Sequence, residues 1–395
     1  MENFLTIRNF GPITDATLEL KQVMIITGAQ GTGKSTIAKL LSIFSDVVFS
    51  LNILHKDKEN LLSQFAFHGI KSYFQDNTYL EYNKNDIHIV YEDKEFRIIL
   101  AEGVDEKKFE DFLVRRWGNA LGDLMESLGI ADSKNGDEIQ TIIKKNAHLI
   151  KADSRFSLYI PAERNLAGAF SNALASMMLA NIPLPHLFTT YLSCYEKAKN
   201  EFSNYEVPFL NLEFKKEGTD EKVVFNHDKQ VDMQYCSSGV QSVLPLLMIM
   251  DYCVKKDIFD CFIIEEPEQN LFPENQMELA RFIISKLHKE NPVQELVITT
   301  HSPYILSTLN ISLLAGKIAE NGKYNEALEQ ILTGAYRLDS KNVAAYSLGD
   351  SDVYAKDIIN KMTGTIDQNY LDSTSLAISE AFNQLYQLYL KSLRE

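Results

Sequence analysis

The stretch Gly28–Thr36, GAQGTGKST, limits what this chain can fold into more than any other. It fits G-x-x-x-x-G-K-[ST] and stands between an apolar run, QVMIITG, and a helical pattern. In that pattern Ile37, Leu40, Leu41, Phe44 and Val48 share one face at the 3.6-residue spacing of an α-helix. A buried strand must therefore enter a tight loop and leave it directly as a helix, the context this motif requires. Gly28, Gly31 and Gly33 let backbone N–H groups of the loop, including those of Ala29, Gln30 and Thr32, turn in around phosphate oxygens, and the helix N-terminus adds its positive end. Lys34 is expected to reach the β- and γ-phosphates of a bound ATP, Ser35 to hold Mg²⁺, and Thr36 to complete the motif.

Such a loop needs a second strand that ends in a carboxylate near the metal. CFIIEEPEQNLFP supplies it, an apolar run ending at Glu265-Glu266 before Pro267. Neighbouring side chains on an extended chain point to opposite sides, so the two glutamates take different jobs. Glu265 is assigned to the Mg²⁺ shell and Glu266 to orienting or deprotonating an attacking water. LVITTHSPYIL gives another apolar strand, ending at Thr299-Thr300-His301. A histidine just past the carboxyl end of a strand in an open α/β sheet lies where ligands bind, and His301 is expected to contact the γ-phosphate.

A second anion-binding turn, QYCSSGVQSVLPLLMIM, opens an apolar helix about two hundred residues after the first. Ser237, Ser238 and Gly239 could grip an anion, with Gln241 one turn further in. A serine N-cap on a core helix accounts for the same residues when they are taken alone. Beside a complete phosphate loop the turn makes more sense as the part that closes the nucleotide site of another subunit.

Strands alternate with helices from FSLYIPAERN onward, which implies a largely parallel sheet. The segment YLEYNKNDIHIVYEDKEFRIIL reads as a meander of short strands, residues 106–146 as helical with a break near Lys134-Asn135-Gly136, and FLNLEFKKEG with KVVFNHDKQ as a hairpin. No internal repeat, low-complexity tract or long heptad run is present in the sequence.

In their order, the phosphate loop, SSGVQ, the strand ending in Glu-Glu and the histidine resemble the ABC-type ATPases of the SMC and OLD (overcoming lysogenization defect) group, often labelled AAA family ATPases. In that group a sequence like Ser237–Gln241 completes the partner's site. RNFGPI (Arg8–Ile13), YIPAERN (Tyr159–Asn165) and EEPEQNLFP (Glu265–Pro273) look particularly like the OLD branch, which implies that Arg164 could approach the nucleotide. The resemblance covers residues 1–50 and about 155–310. It implies an α/β P-loop NTPase with an ABC/SMC-type head, a mainly parallel sheet plus an antiparallel meander and a helical insertion. The expected division is an ATPase core at 1–50 and 155–315, an inserted meander and helical subdomain at 51–154, and a C-terminal helical region at 316–395.

Two departures shape the functional expectation. The chain has no long coiled coil of the SMC kind, and no V-E-G-like start to the TOPRIM nuclease domain that follows the histidine in OLD nucleases. YSLGDSDVYAKD offers only Asp350, Asp352 and Asp357, which read as a solvated turn more readily than as a metal centre. The glutamine usual between the two halves has two candidates, Gln64 and Gln75. The expected activity is Mg²⁺-dependent ATP hydrolysis at two composite sites of a homodimer or higher oligomer. The resemblance places that cycle in nucleic-acid surveillance or antiviral defence, controlling a separately encoded effector protein. Two other readings stay open, an ATP-locked scaffold that turns over slowly and a small-molecule phosphotransferase that needs no second subunit.

The formal net charge of −15 and pI of about 5.1 argue against a basic body that coats nucleic acid. A local contact is still open, but Lys107-Lys108, Arg115-Arg116-Trp117 and Lys144-Lys145 read more readily as solvated faces. The four cysteines lack metal-ligand spacing and are expected as buried free thiols. No apolar run reaches the roughly 18 residues of a membrane span and no signal peptide is read, so the expected setting is cytoplasmic, without a membrane partner.

Overall fold

The apolar run before the glycine-rich loop forms the buried strand that the loop requires, and most of the molecule is arranged around it. The computed structural model describes residues 3–84, 87–100, 105–110, 156–170, 184–218, 220–226, 229–256, 259–288, 293–320, 322–350, 352–367 and 379–386. Within them the chain runs β1 (Phe4–Phe10), β2 (Ile13–Glu19), β3 (Val23–Gly28), α1 (Lys34–Ser45), α2 (Val47–Leu54), α3 (Lys58–Phe67), β4 (Phe74–Lys84), β5 (Ile87–Glu92) and β6 (Glu95–Ile98). It continues through β7 (Phe156–Ile160), α4 (Asn165–Ala169), α5 (His186–Glu201), β8 (Asn204–Val207), β9 (Leu212–Glu217), β10 (Asp220–Phe225), β11 (Lys229–Asp232) and α6 (Ser238–Lys256). The remaining elements are β12 (Phe259–Glu265), α7 (Pro273–Ser285), β13 (Glu295–Thr299), α8 (Pro303–Ala319), α9 (Asn325–Ile331), β14 (Val343–Leu348) and β15 (Ala355–Asp357).

The central sheet has the order β15-β14-β3-β13-β12-β7. All its pairings are parallel except the antiparallel edge strand β15. Burial on both faces explains the continuous apolar runs. Val23, Ile25, Phe262, Ile264, Leu296 and Ile298 enter one core with α5, α6, α7 and α8. Their neighbours Met24, Ile26, Cys261, Ile263 and Val297 enter another with α1 and the β1–β2 hairpin. The fold is thus α/β, a P-loop core with a mainly parallel sheet and two antiparallel sheets, of orders β2-β1-β4-β5-β6 and β11-β10-β9-β8.

Several expectations are corrected. The region 316–395 is not simply helical: β14 lies beside β3, in parallel register from Val343↔Val23 to Leu348↔Gly28. Its sequence, VAAYSL, lacks the β-branched run that announced the other strands, and burial on both faces supplies what propensity does not. The meander placed in an insertion at 51–154 shares one sheet with the hairpin β1–β2, because β1 pairs with β4 from Phe4↔Asn83 to Phe10↔Phe74. Helix α1 stops at Ser45, so Val48 belongs to α2 rather than to the α1 face. The hairpin before the second anion turn is part of four strands. Of the helical reading at 106–146, residues 106–110 are helical and the rest, with Arg115-Arg116-Trp117, Lys144-Lys145 and the break at 134–136, lies outside the described residues. Lys108 pairs with Asp105 at 3.3 Å.

Where α3 ends, His68 is buried against α1. Its Nδ1 lies 2.8 Å from the Gln64 carbonyl and its Nε2 3.2 Å from Ser42 Oγ. A neutral ring satisfies both contacts, donating from Nδ1 and accepting at Nε2, and burial pushes its pKa down to about 4. The folded state then binds fewer protons than the unfolded chain between that value and the ordinary 6.5. The stability this group contributes is full above 6.5 and falls as pH drops toward 4. Acidifying from about pH 7 to about pH 5 should cost ~2 kcal/mol through this group alone. The thermal midpoint should therefore depend less on pH in His68→Gln than in the wild type, and equal slopes would remove His68 from the account.

Candidate nucleotide site

The parallel strands all deliver their carboxyl ends to one edge, and the residues singled out in the sequence gather there. Gly28 closes β3, Glu265 closes β12, and Thr299 closes β13 with His301 two residues on. Gly28 has φ 146°, and a Cβ on it would come within 2.6 Å of the Leu348 carbonyl oxygen at the end of β14. Gly33 has φ 84°, and a Cβ there would meet Ile13 Cγ1 at 2.6 Å. Glycine at both positions follows from backbone conformation and close approach together. Ala29, Gln30, Gly31 and Ser35 are exposed at the mouth of the loop, while Thr36 is buried in the first turn of α1. Thr32 Oγ1 donates to the Ala29 carbonyl at 2.8 Å, which braces the loop.

Lys34 is 6 % exposed and donates to the carbonyls of Gly28 at 3.0 Å and Ala29 at 2.8 Å. Burial lowers its pKa to about 8, and the charges of Glu266, Glu268 and Glu265 limit the fall. Glu265 is buried, and its Oε1 has no hydrogen-bond partner among the described residues. The buried phenol of Tyr159 lies close enough to feel its charge, and burial followed by that carboxylate keeps the phenol protonated. An unpartnered carboxylate oxygen and the exposed Ser35 hydroxyl are hard oxygen donors of the kind Mg²⁺ takes, so the residues present fit that ion.

Glu266 and His301 are brought together, with Nε2 of the imidazole 3.1 Å from Glu266 Oε1 and both side chains about one-third exposed. Burial and then the Lys34 charge depress the His301 pKa, with Glu266 opposing them, so the ring sits below its ordinary value. Glu266 itself has φ 42°. A glutamate in that region is uncommon and is held by its surroundings.

The sequence reading missed three contributors. Glu268 Oε1 accepts from Thr300 Oγ1 at 2.9 Å and from the His301 backbone N–H at 2.7 Å, which fixes the turn that carries the imidazole. Its signal in the sequence is a third acid in EEPEQN. Gln276 donates to the Leu271 carbonyl at 2.8 Å and accepts from Ser302 Oγ, so α7 ties the same two turns together. Tyr354 Oη approaches the carbonyls of Pro12 at 2.8 Å and Thr32 at 3.0 Å, strapping the loop from the β14–β15 side. Nothing in the local sequence around Tyr354 announced that contact.

Two expected site residues are placed differently. Arg164 does not face the phosphate loop; it is fully buried and donates to backbone carbonyls of Pro161, Glu265, Glu266 and Pro267. A planar guanidinium matches that set of acceptors better than it would reach a distant phosphate. Gln241 is also buried, its amide donating to the Gln234 carbonyl at 2.9 Å, so it shapes the turn from inside. Ser237 and Ser238 are exposed, flanked by Tyr235, 74 % exposed, and a Cβ on the adjoining Gly239 would come within 2.7 Å of the Asn270 carbonyl oxygen. Neither serine hydroxyl is bonded to the phosphate loop among the described residues. Gln64 lies in α3, and Gln75 is exposed at the start of β4 with its N–H on Thr78 Oγ1. Asp350 pairs with Lys356 at 3.6 Å. All four cysteines are buried free thiols, and no described helix is long and apolar enough to cross a membrane.

Comparison with known proteins adds a family. The description AAA ATPase domain matches residues 1–174 and 188–306, most of the chain. Among solved structures the chain is similar to the SMC head domain from Thermotoga maritima, with a TM-score of 0.38 and 13% identity over 78% of this chain and 92% of that one. It is also similar to an SMC head bound to the C-winged helix domain of ScpA, with a TM-score of 0.42 and 10% identity over 91% of this chain and 98% of that one. No curated protein matches the chain.

Proposed function

The chain belongs to the AAA ATPase domain family, and from that premise we propose that it is a Mg²⁺-dependent ATP hydrolase working as a head-to-tail homodimer with composite sites. One observation supports the chemistry most directly: Lys34, Glu265, Glu266 and His301 converge on one sheet edge, with Glu266 and His301 3.1 Å apart. Backbone N–H groups from Gly28 to Thr36 would cradle the phosphates, and Lys34 would turn from its carbonyl acceptors onto the β- and γ-oxygens. Ser35 and Glu265 would hold Mg²⁺, whose charge offsets that on the phosphate oxygens. Glu266, freed from His301 as the phosphate enters, would align a water for in-line attack and take its proton. A largely neutral His301 would donate a hydrogen bond to the γ-phosphate.

The second subunit is proposed because Ser237 and Ser238 are exposed, beside exposed Tyr235, and are not bonded to their own phosphate loop among the described residues. In this reading the turn closes the site of a partner copy, ATP drives the closure, and hydrolysis releases it. The RNFGPI and EEPEQNLFP segments support an OLD-like assignment. On that basis the cycle would gate a separately encoded effector in nucleic-acid surveillance or antiviral defence.

Mixing two inactive variants tests the composite site. Lys34→Ala should not hold nucleotide, and Ser238→Arg should obstruct the partner's site. Each alone should hydrolyse little ATP. Random pairing in equal amounts should restore about a quarter of wild-type turnover, because half the dimers carry one whole site of two. If mixed dimers form and turnover stays at the level of the single variants, the trans role of Ser238 falls and the turn is a helix cap.

A further inference from the structure

Arg164 is a buried cation without a carboxylate partner among the described residues, a costly arrangement in a protein interior. Its guanidinium holds four carbonyls, at 3.3 Å for Pro161, 2.7 Å for Glu265, 2.6 Å for Glu266 and 3.0 Å for Pro267. Three of these belong to consecutive residues. Along a strand successive carbonyls point in opposite directions, so three in a row can converge on one cation only where the chain leaves the extended conformation. The residue that does so is Glu266, at φ 42°. A left-handed backbone is unfavourable for a non-glycine residue, and the bonds to Arg164 offset that cost.

The consequence lies at the other end of the same residue. The Glu266 carbonyl is fixed on Arg164, while its carboxylate reaches His301 at 3.1 Å. Were the backbone to relax toward an extended form, Cβ would swing away and the carboxylate with it. Arg164 is itself seated firmly. It is the N-cap residue immediately before α4, and four residues on, a Cβ on Gly168 would lie 2.7 Å from Met233 Cε and 2.9 Å from Gln241 Cα. Helix α4 is therefore pressed against the base of α6, the helix that opens with Ser238.

We propose that Arg164 is a positioning residue for hydrolysis, holding the turn at Glu266 in the left-handed form that aims its carboxylate, and that α4 ties this turn to the base of the Ser237–Ser238 helix. The proposal rests on the role given above to Glu266. Lysine at 164 keeps the charge but is a single-point donor without a planar fork, so it cannot hold the convergent carbonyls in the same way.

The test is a double-mutant cycle on the full chain, read by single-turnover hydrolysis of radiolabelled ATP and by affinity for a fluorescent ATP analogue. Arg164→Lys should lower the hydrolysis rate roughly 10- to 100-fold with analogue affinity within about threefold of wild type. In a Glu266→Gln background the same change should cost little more, within about twofold, because the group it positions is already gone. Multiplicative losses, or a loss of affinity matching the loss of rate, would overturn the proposal. Should Arg164→Lys show no cooperative thermal transition, Gly168→Ala takes its place: it keeps the guanidinium, displaces α4, and should also slow hydrolysis at unchanged affinity. Wild-type turnover in that variant would equally overturn it. Wild-type turnover in Glu266→Gln would remove the role of Glu266 and this inference with it. An inactive Glu266→Gln beside a fully active Arg164→Lys would remove this inference alone.

Discussion

Glu266→Gln is expected to lower ATP turnover by ~10²–10⁴-fold while leaving nucleotide affinity within a few-fold of wild type. The side chain keeps its size, and the amide can still accept from His301 Nε2, now 3.1 Å from Glu266 Oε1. The lost property is basicity. A water that is positioned but not relieved of its proton attacks phosphorus slowly, so the bound state should persist. The substitution also removes the largest of the influences that raise the Lys34 pKa, which burial has already brought down to about 8. Lys34 should then lose its charge at a lower pH, so the comparison belongs on the acid side of that titration in both proteins. Turnover within tenfold of wild type, at matched nucleotide occupancy, would transfer the role of general base away from Glu266. In the proposed dimer, persistence of the bound state has a second expected readout: the variant should remain associated when ATP is added, where the wild type should separate as it hydrolyses.

The parts of this site legible in the sequence are those in which a contiguous run ends at the chemistry. GAQGTGKST carries its own strand before it and helix after it, and CFIIEE and LVITTH each end an apolar run on the residues that meet at the sheet edge. Parallel sheets make such reading possible, since every strand ends on the same side. The supporting contacts were not legible because they join distant parts of the chain. Arg164 reaches carbonyls more than a hundred residues away, and the Tyr354 hydroxyl lies on Thr32 at a separation of 322. The resemblance of YIPAERN to an OLD-branch segment brings Arg164 toward the nucleotide as an expectation, until the left-handed turn it holds is visible. Gln241 misled in a similar way: one turn into a helix it looked poised for an anion, yet its amide is turned back on Gln234.

Ala345→Asp should be among the most destabilising single substitutions in the molecule, although residues 316–395 read as a helical appendage. Ala345 is fully buried in β14, opposite Ile25 of the phosphate-loop strand, and it faces the core formed with α5 to α8. An aspartate there must either bury an unpaired charge or take up a proton, and both cost about 3–5 kcal/mol in a well-packed interior. The effect should not stay local. Register carries β14 to Leu348 beside Gly28, and the Leu348 carbonyl is what leaves no room for a side chain on that glycine. Loosening β14 therefore removes one wall of the phosphate loop, and Tyr354, which straps Thr32 from the β14–β15 side, goes with it. The expected result is a thermal midpoint lower by about 4–6 °C, with nucleotide affinity lost before the global transition. A peripheral C-terminal region would give the opposite pattern, an unchanged midpoint and intact nucleotide binding. Lys356→Gln, exposed on β15, is the control that separates these outcomes, because a surface change on the neighbouring strand should stay within about 0.5 kcal/mol. Loss of nucleotide binding in Ala345→Asp alone would mean that the floor of the phosphate loop is built from both ends of the chain.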